Sequence, residues 1–337
     1  MISRRQFSQA LAVTGVAAPL VAAAGAGTAN GQTARTMQSG KPAWGAIKQV
    51  RAGLLDVGYA EMGPADGPVT ILLHGWPYDI HSFVDVAPAL AAQGHRVLIP
   101  YLRGYGPTRF LHARTKRNGQ PAAVASDLIA FMDALKIQKA TLAGFDWGAR
   151  TACVTAALWP ERVKALVSVS GYLIISLAAN REPLSPQAEL GWWYQFYFST
   201  ERGEKGYTQN TYEFNKLIWK LASPRWNFDE ATYAQSATAW KNPDHVAIVI
   251  HNYRWRLELA EGEHRYDGLE RKLRARPAIS VPTITIASDF DGPNKSGAGY
   301  RDRFTGRYEH RILDGIGHNV PQEAPEAFTR AVLDASR

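Results

Sequence analysis

The sequence of 337 residues has few features that would tie its fold to disulfides, metals or a membrane. It contains one cysteine, Cys153, so an intrachain disulfide is impossible. No group of cysteines and histidines has the spacing of zinc ligands, so we expect no structural metal. The apolar stretch from about Leu11 to Ala24 is shorter than the roughly 20 residues of a membrane-spanning helix, so no stable membrane anchor is expected.

Basic residues are in modest excess over acidic ones. Lysines and arginines number 38 against 30 aspartates and glutamates, which gives a net charge of +8. The basic residues are scattered, and no long basic run alternates with aromatic residues. We therefore expect a solvated basic surface and no nucleic-acid partner.

The N-terminus resembles an export signal. Residues 3–7 read SRRQF, a twin-arginine pattern, and an uncharged apolar stretch follows before the small residues at 24–26. A chance pair of arginines before a loose tail is the alternative. The agreement of all these features favours a signal peptide and flexible leader over residues 1–43, and hence a periplasmic or secreted protein.

Short apolar runs alternate with helical stretches from residue 47 onward, which predicts βαβ units and a mostly parallel sheet. Between about residues 172 and 275 the pattern becomes aromatic, helical and poor in strands, and strand-like runs then return. We therefore predict an α/β core formed by residues 44–171 and 276–337. Residues 172–275 would form an inserted helical cap over the ends of the strands.

The run GFDWG at residues 144–148 lies between a predicted strand and a predicted helix. This is the pattern of a nucleophile elbow, in which glycines permit a tight turn, but with Asp146 where serine is common. A glycine-rich turn with an incidental aspartate is the alternative. The run HGWP at residues 74–77 favours the elbow, because the backbone N–H groups of Trp76 and Trp147 would then form an oxyanion hole.

Candidates for the acid and the histidine base that accompany the nucleophile follow later in the chain, in the order nucleophile, acid, histidine. His318 lies after the last predicted strand, the position of the histidine base in such folds. Asp291 follows the preceding strand and would orient His318 and stabilise its protonated form. Asp289 is the alternative, and its smaller offset from the strand makes it the weaker candidate.

These motifs resemble those of the α/β-hydrolase-fold epoxide hydrolases, with haloalkane and haloacid dehalogenases as near relatives. The similarity spans residue 47 to the C-terminus and rests on residues 74–77, 103–106, 146–148 and 317–318. The sequence departs from the family pattern at Ala149 and Ser288, where glycine is common. The resemblance implies an α/β-hydrolase fold, a mostly parallel central sheet flanked by helices with an inserted cap.

The cap motifs favour one branch of this superfamily. YQFYF at residues 194–198 and NYR at residues 252–254 resemble the two family motifs whose tyrosines bind an epoxide oxygen, which implies that role for Tyr194 and Tyr253. Two packing aromatics among 14 tyrosines are the alternative. Trp192, Trp193, Phe196 and Tyr197 suggest an aromatic-lined pocket, although packing of the cap explains them equally well.

Attack on a saturated carbon explains why the nucleophile is an aspartate and not a serine. A serine would leave a stable ether, whereas a carboxylate leaves an ester that water can cleave. We therefore predict an epoxide hydrolase that needs no cofactor and converts an apolar or aromatic epoxide to a vicinal diol. A dehalogenase using the same Asp146 is the first alternative. An inactive ligand-binding member of the fold is the second, and the complete set of Asp146, Asp291 and His318 argues against it.

Overall fold

A nine-stranded mixed sheet forms the centre of the chain in a computed structural model, which describes residues 43–337. The predicted signal and leader lie outside the described residues, apart from Ala43. The strands are β1 (Lys48–Ala52), β2 (Leu55–Met62), β3 (Val69–Leu73), β4 (Arg96–Pro100), β5 (Arg109–Phe110), β6 (Ala140–Gly144), β7 (Val163–Val169), β8 (Thr283–Ala287) and β9 (Tyr308–Ile312).

The sheet has the order β1-β2-β4-β3-β6-β7-β8-β9, with β5 paired to β2. Pairing is parallel from β4 to β9 and antiparallel where β2 meets β1, β4 and β5. Every residue of β6 and β8 is buried, as expected for central strands covered on both faces. The predicted mostly parallel sheet flanked by helices is confirmed.

Helices cover this sheet in two groups. The core helices are α1 (Val86–Ala92), α2 (Pro121–Ala134) and α3 (Trp147–Leu158), followed near the C-terminus by α11 (Val320–Glu323) and α12 (Pro325–Ala335). Helix α3 packs against α2 and on strands β3, β6 and β7, whereas α12 packs against α1 and on β7 and β8. The helix that follows the elbow is therefore fixed to the centre of the sheet.

The chain between β7 and β8 is helical, over the stretch for which we predicted a cap. Its α-helices are α4 (Pro186–Gly191), α5 (Trp193–Ser199), α6 (Glu201–Gln209), α7 (Thr211–Ala222), α8 (Glu230–Ala237), α9 (His245–Arg256) and α10 (Asp267–Arg274). No strand interrupts this part of the described chain. The insertion carries much of the aromatic packing, including the contact between Trp219 and Tyr233.

Two helical stretches of the core are divided in the structure. The first consists of a 3-10 turn at Ile80–Phe83 followed by α1. The helical stretch at the C-terminus is divided into α11 and α12 at Ala324, whose backbone, with φ of −142° and ψ of 61°, is not helical. Pro325 explains this break, because proline disfavours a helical conformation at the preceding residue. Across residues 43–337, no helix combines the length and apolar character needed to cross a membrane.

Candidate active site

Asp146 occupies a strained turn between β6 and α3. Its backbone has φ of 51° and ψ of −123°, a conformation that side chains other than glycine rarely adopt. Glycine is required around it: a Cβ on Gly148 would lie 1.9 Å from the carbonyl oxygen of Leu73, and one on Gly75 would lie 2.4 Å from Asp146 Cβ. The sequence thus forces the Asp146 side chain out of the end of the sheet.

The two carboxylate oxygens of Asp146 have different neighbours. Oδ1 accepts a hydrogen bond of 2.7 Å from the backbone N–H of Trp76. Oδ2 lies 3.4 Å from Nε2 of His318. Burial alone would raise the pKa of Asp146, but the hydrogen bond and charge of His318, with the charge of Arg150 and the N–H of Trp76, together outweigh burial and lower it. Asp146 is therefore ionised at neutral pH.

One of the two predicted oxyanion donors contacts this carboxylate. Trp76 follows β3 and already donates its N–H to Oδ1 of Asp146. Trp147 begins α3, so its N–H is one of the free donors at a helix N-terminus. The indole Nε1 of Trp76 points elsewhere and donates to the hydroxyl of Tyr207 at 3.0 Å.

His318 is buried on a loop held by residues to which the sequence analysis gave no role. Its backbone N–H donates to the hydroxyl of Ser223 at 2.9 Å, and that hydroxyl donates to Glu323 at 2.6 Å. Glu323 also accepts from the backbone N–H groups of Gly317 and Asn319. Glu323 follows His318 by five residues without belonging to a motif, and Ser223 carries no sequence signal because it lies far away on the cap.

The structure separates the two candidate acids. Asp289 is paired with Lys295 at 2.6 Å and with Arg225 at 3.3 Å, and 37% of its side chain is exposed. Asp291 is less exposed and accepts the backbone N–H of Ser288 at 2.7 Å. Burial raises the pKa of Asp291, while His318 acts to lower it. Nδ1 of His318 is buried without a hydrogen-bond partner among residues 43–337, so the hydrogen bond expected from His318 to Asp291 is not formed here.

The predicted tyrosines come together above Asp146. Tyr194 lies on α5 and Tyr253 on α9, with ring centroids 5.5 Å apart at an interplanar angle of 85°. Both rings contact the indole of Trp76, at 5.1 and 5.2 Å. Burial is the main cause that raises the pKa of both phenols, so each is a neutral donor at physiological pH.

A cavity of about 300 Å³ opens beside these groups. Its walls are mostly apolar and comprise Trp76, Asp146, Gln187, Leu190, Gly191, Trp193, Tyr194, Ile218, Leu221, Ala222, Phe290 and His318. Of the four aromatics suggested for a pocket, Trp193 lines the cavity, whereas Phe196 is 47% exposed. Residues 43–337 contain no cluster of three His, Cys, Asp or Glu side chains placed to hold a metal ion.

Fold and site together define a hydrolase scaffold with a carboxylate on its nucleophile elbow. The α/β hydrolase fold family matches residues 68–216. A crystallised candidate epoxide hydrolase from Klebsiella pneumoniae is 61% identical, with a TM-score of 0.86 over 88% of this chain and 98% of that one. The chain therefore belongs to the α/β-hydrolase fold family.

Curated relatives of known name match over different lengths. Epoxide hydrolase B of Mycobacterium tuberculosis is 33% identical over 149 residues, which cover 41% of each chain. The chain thus matches about two fifths of the length of that relative. Epoxide hydrolase A of the same organism is 26% identical over 309 residues, which cover 81% of this chain and 92% of that relative.

Proposed function

We propose that the protein hydrolyses epoxides to vicinal diols through an ester of Asp146. One arrangement carries this proposal: an ionised carboxylate lies between a backbone N–H, an imidazole and a pair of buried phenols. An epoxide needs a nucleophile at carbon and acids at oxygen, and the described site offers both. The epoxide hydrolases among the relatives support the same activity.

In the first step, Oδ2 of Asp146 attacks an epoxide carbon and the carbon–oxygen bond of the ring breaks. Oδ2 is the attacking atom because Oδ1 is held by the N–H of Trp76. The electron pair of the broken bond goes to the epoxide oxygen, which takes a proton from Tyr194 or Tyr253. Tyrosine suits this task because a phenol is a far stronger acid than an alcohol.

In the second step, Nε2 of His318 removes a proton from water, and the resulting hydroxide attacks the ester carbonyl carbon. The negative charge then develops on Oδ1, which already faces the N–H of Trp76, and Trp147 supplies a second N–H. As this intermediate collapses, protonated His318 gives its proton to the departing alcohol oxygen, which releases the diol. The carboxylic acid left at Asp146 then passes its proton to the tyrosine that was deprotonated in the first step, which restores both groups. Asp291 would support the protonated form of His318 after a rotation or loop adjustment that brings the two into hydrogen-bond reach.

The intact mass of a His318→Gln variant tests this proposal. After exposure to styrene oxide, we expect the mass to rise by that of one epoxide, because the second step is blocked. The double variant with Asp146→Asn should show no gain. A folded His318→Gln protein that gains no mass with styrene oxide or with aliphatic epoxides that fit the cavity would contradict epoxide hydrolysis.

Dehalogenation is the second candidate, and one observation favours it. Nε1 of Trp147 is buried and has no hydrogen-bond partner among the described residues, so it is free to donate to a halide. The indole of Trp76 is already bonded to Tyr207 and offers no second donor. Exposure of His318→Gln to a short haloalkane separates the two functions, since a gain equal to the alkyl group alone would indicate a dehalogenase.

Export by the twin-arginine route is a further proposal, supported by the SRRQF run at residues 3–7. Replacing Arg4 and Arg5 together by lysine should abolish export in a bacterial host. Cell fractionation with immunoblotting measures this. Equal periplasmic amounts of the original and the double variant would contradict the proposal.

A further inference from the structure

Two arginines lie behind the tyrosine pair without a carboxylate partner. Arg150 is on α3, one helical turn after Asp146, and Arg256 is on α9, three residues after Tyr253. The Arg256 guanidinium lies 5.8 Å from the centre of the Tyr253 ring. Among residues 43–337, neither arginine forms an ion pair. Nε of Arg256 is buried without a hydrogen-bond partner.

Arg150 also connects the nucleophile helix to the cap. Its guanidinium donates to Oδ1 of Asn252 at 3.1 Å, and Asn252 directly precedes Tyr253. Burial, followed by the charge of Arg256, lowers the pKa of Arg150 to about 10, so it still carries its charge at neutral pH. Two like charges in a partly buried site are unfavourable unless a negative charge balances them.

The negative charge in this region changes position during the proposed reaction. Before the reaction it resides on Asp146. As the ester forms, Asp146 becomes neutral and the charge moves to the epoxide oxygen, and proton transfer from Tyr194 or Tyr253 then leaves it on that tyrosine. The charge of Arg150 acts on Asp146 and on both phenols, and the charge of Arg256 acts on both phenols. Both arginines therefore face the end of this transfer, and Arg150 also faces its start.

We propose that Arg150 and Arg256 form a cation pair behind Tyr194 and Tyr253 that stabilises the negative charge arriving on the epoxide oxygen. The inference rests on the proposed epoxide hydrolysis. Arg150 donates to the residue before Tyr253 and Arg256 lies against the Tyr253 ring, so both act through the tyrosines and do not bind the substrate. They are positioning residues for the proton donors, and their effect belongs to ring opening.

The size of the effect follows from Coulomb's law. A charge about 8 Å away at an effective dielectric constant near 20 changes a rate by roughly thirtyfold if it acts on the transition state alone. Arg150 also stabilises the ionised Asp146 before the reaction, and this part does not accelerate the step. We therefore expect each neutral substitution to slow ring opening by roughly tenfold.

Rapid-quench measurement of a single turnover of styrene oxide tests the inference, because it resolves ester formation from ester hydrolysis. Arg150→Met and Arg256→Met should each slow ester formation about tenfold and leave ester hydrolysis unchanged within about threefold. Arg150→Lys and Arg256→Lys should restore most of the lost rate, since they keep the charge. A purely structural role would affect both steps and would show no rescue by lysine.

Two controls separate charge from other effects. Asn252→Ala removes the tether of Arg150 but no charge, and Arg254→Met removes an arginine of the same helix that is already paired with Glu204. Both should leave ester formation unchanged within about threefold. If a methionine variant does not fold, Arg256→Gln replaces it as a neutral variant that keeps a polar side chain.

A second substrate excludes the main alternative. If the arginines instead bind an anionic group of the substrate, their loss would weaken turnover of a carboxylate-bearing epoxide and spare neutral styrene oxide, and this result would overturn the proposal. Equal rates of ester formation in all variants would overturn it as well. Failure of the original protein to form any ester would instead contradict epoxide hydrolysis itself, so the two failures are distinguishable.

Discussion

The backbone N–H of Trp76 donates a 2.7 Å hydrogen bond to Oδ1 of Asp146, which joins the end of β3 to the turn after β6. This contact makes the two carboxylate oxygens unequal before any substrate binds. Oδ1 already lies where the ester carbonyl oxygen must be stabilised, and Oδ2 remains available for attack. Because the indole of the same Trp76 bonds to Tyr207 of the cap, one residue connects both halves of the site.

The pH at which the rate of ester formation falls in acid should depend on His318. In the original protein the pKa of Asp146 lies below its ordinary value of 3.8, since His318, Arg150 and the N–H of Trp76 together outweigh the effect of burial. In His318→Gln the largest of these opposing contributions is lost, and the pKa rises. The ionised carboxylate is the nucleophile, so protonation of Asp146 stops ester formation. As the pH is lowered, the rate of ester formation should therefore begin to fall at a higher pH in the variant than in the original protein.

Stopped-flow tryptophan fluorescence between pH 4 and pH 8 would measure the rate of ester formation in both proteins. Circular dichroism would verify that each is folded at each pH. If the rate fell at the same pH in the two proteins, His318 would not set the ionisation of Asp146.

Loss of either cap hydroxyl should slow ring opening. Tyr194→Phe and Tyr253→Phe should each reduce the rate of ester formation by roughly a hundredfold, the lower end of general acid catalysis, because the remaining phenol still donates. The KM should change little. Tyr197→Phe is the matched control, since that ring lies on the same helix, stacks on Phe214 and does not line the cavity. An unchanged rate in both phenol variants would exclude the proposed proton donors.

Local patterns made the catalytic turn predictable from the sequence. The elbow at Asp146 depends on glycines within two residues of it, and the loop of His318 follows directly after a strand. Such turns are encoded by neighbouring residues, because only glycine fits where a Cβ would contact the next strand. The position of Asp291 relative to His318 was harder to predict, since it depends on the backbone between two strands.

Contacts across the chain could not be predicted in this way. Tyr207 lies 131 residues after Trp76, and no local pattern links them. The pairing of Arg150 with the end of α9 likewise depends on how the insertion packs on the core. Phe290 contacts His318 at 4.0 Å and lines the cavity, although its sequence position indicated only a loop between two candidate acids.

The hydroxyl of Tyr207 should stabilise the fold through buried polar groups. It accepts from Nε1 of Trp76 and lies 2.9 Å from Nε2 of His245, whose pKa burial lowers to about 3. Tyr207→Phe leaves these neutral groups unpaired in a buried site, which should lower the free energy of unfolding by about 1–3 kcal/mol. Urea denaturation measures the loss.

Tyr212→Phe provides the comparison, because its hydroxyl bonds to Glu230 at the surface. That variant should change the free energy of unfolding by less than about 0.5 kcal/mol. Equal losses in the two variants would mean that the Tyr207 network does not stabilise the fold beyond an ordinary surface hydrogen bond.

The close approach of Gly148 to β3 should make even one methyl group costly. A Cβ there would lie 1.9 Å from the carbonyl oxygen of Leu73, and a strand backbone cannot yield as a flexible side chain does. Gly148→Ala should therefore lower the free energy of unfolding by roughly 2–4 kcal/mol and reduce activity more than a hundredfold, because Asp146 moves with the turn. Gly268→Ala is the control: its nearest neighbour would be the Arg271 guanidinium at 3.8 Å, and alanine favours its helix by up to about 1 kcal/mol. Thermal unfolding and the hydrolysis rate, measured on both variants, distinguish a strained elbow from a general intolerance of alanine. A Gly148→Ala protein with the original melting temperature and rate would mean that the turn carrying Asp146 is looser than this geometry requires.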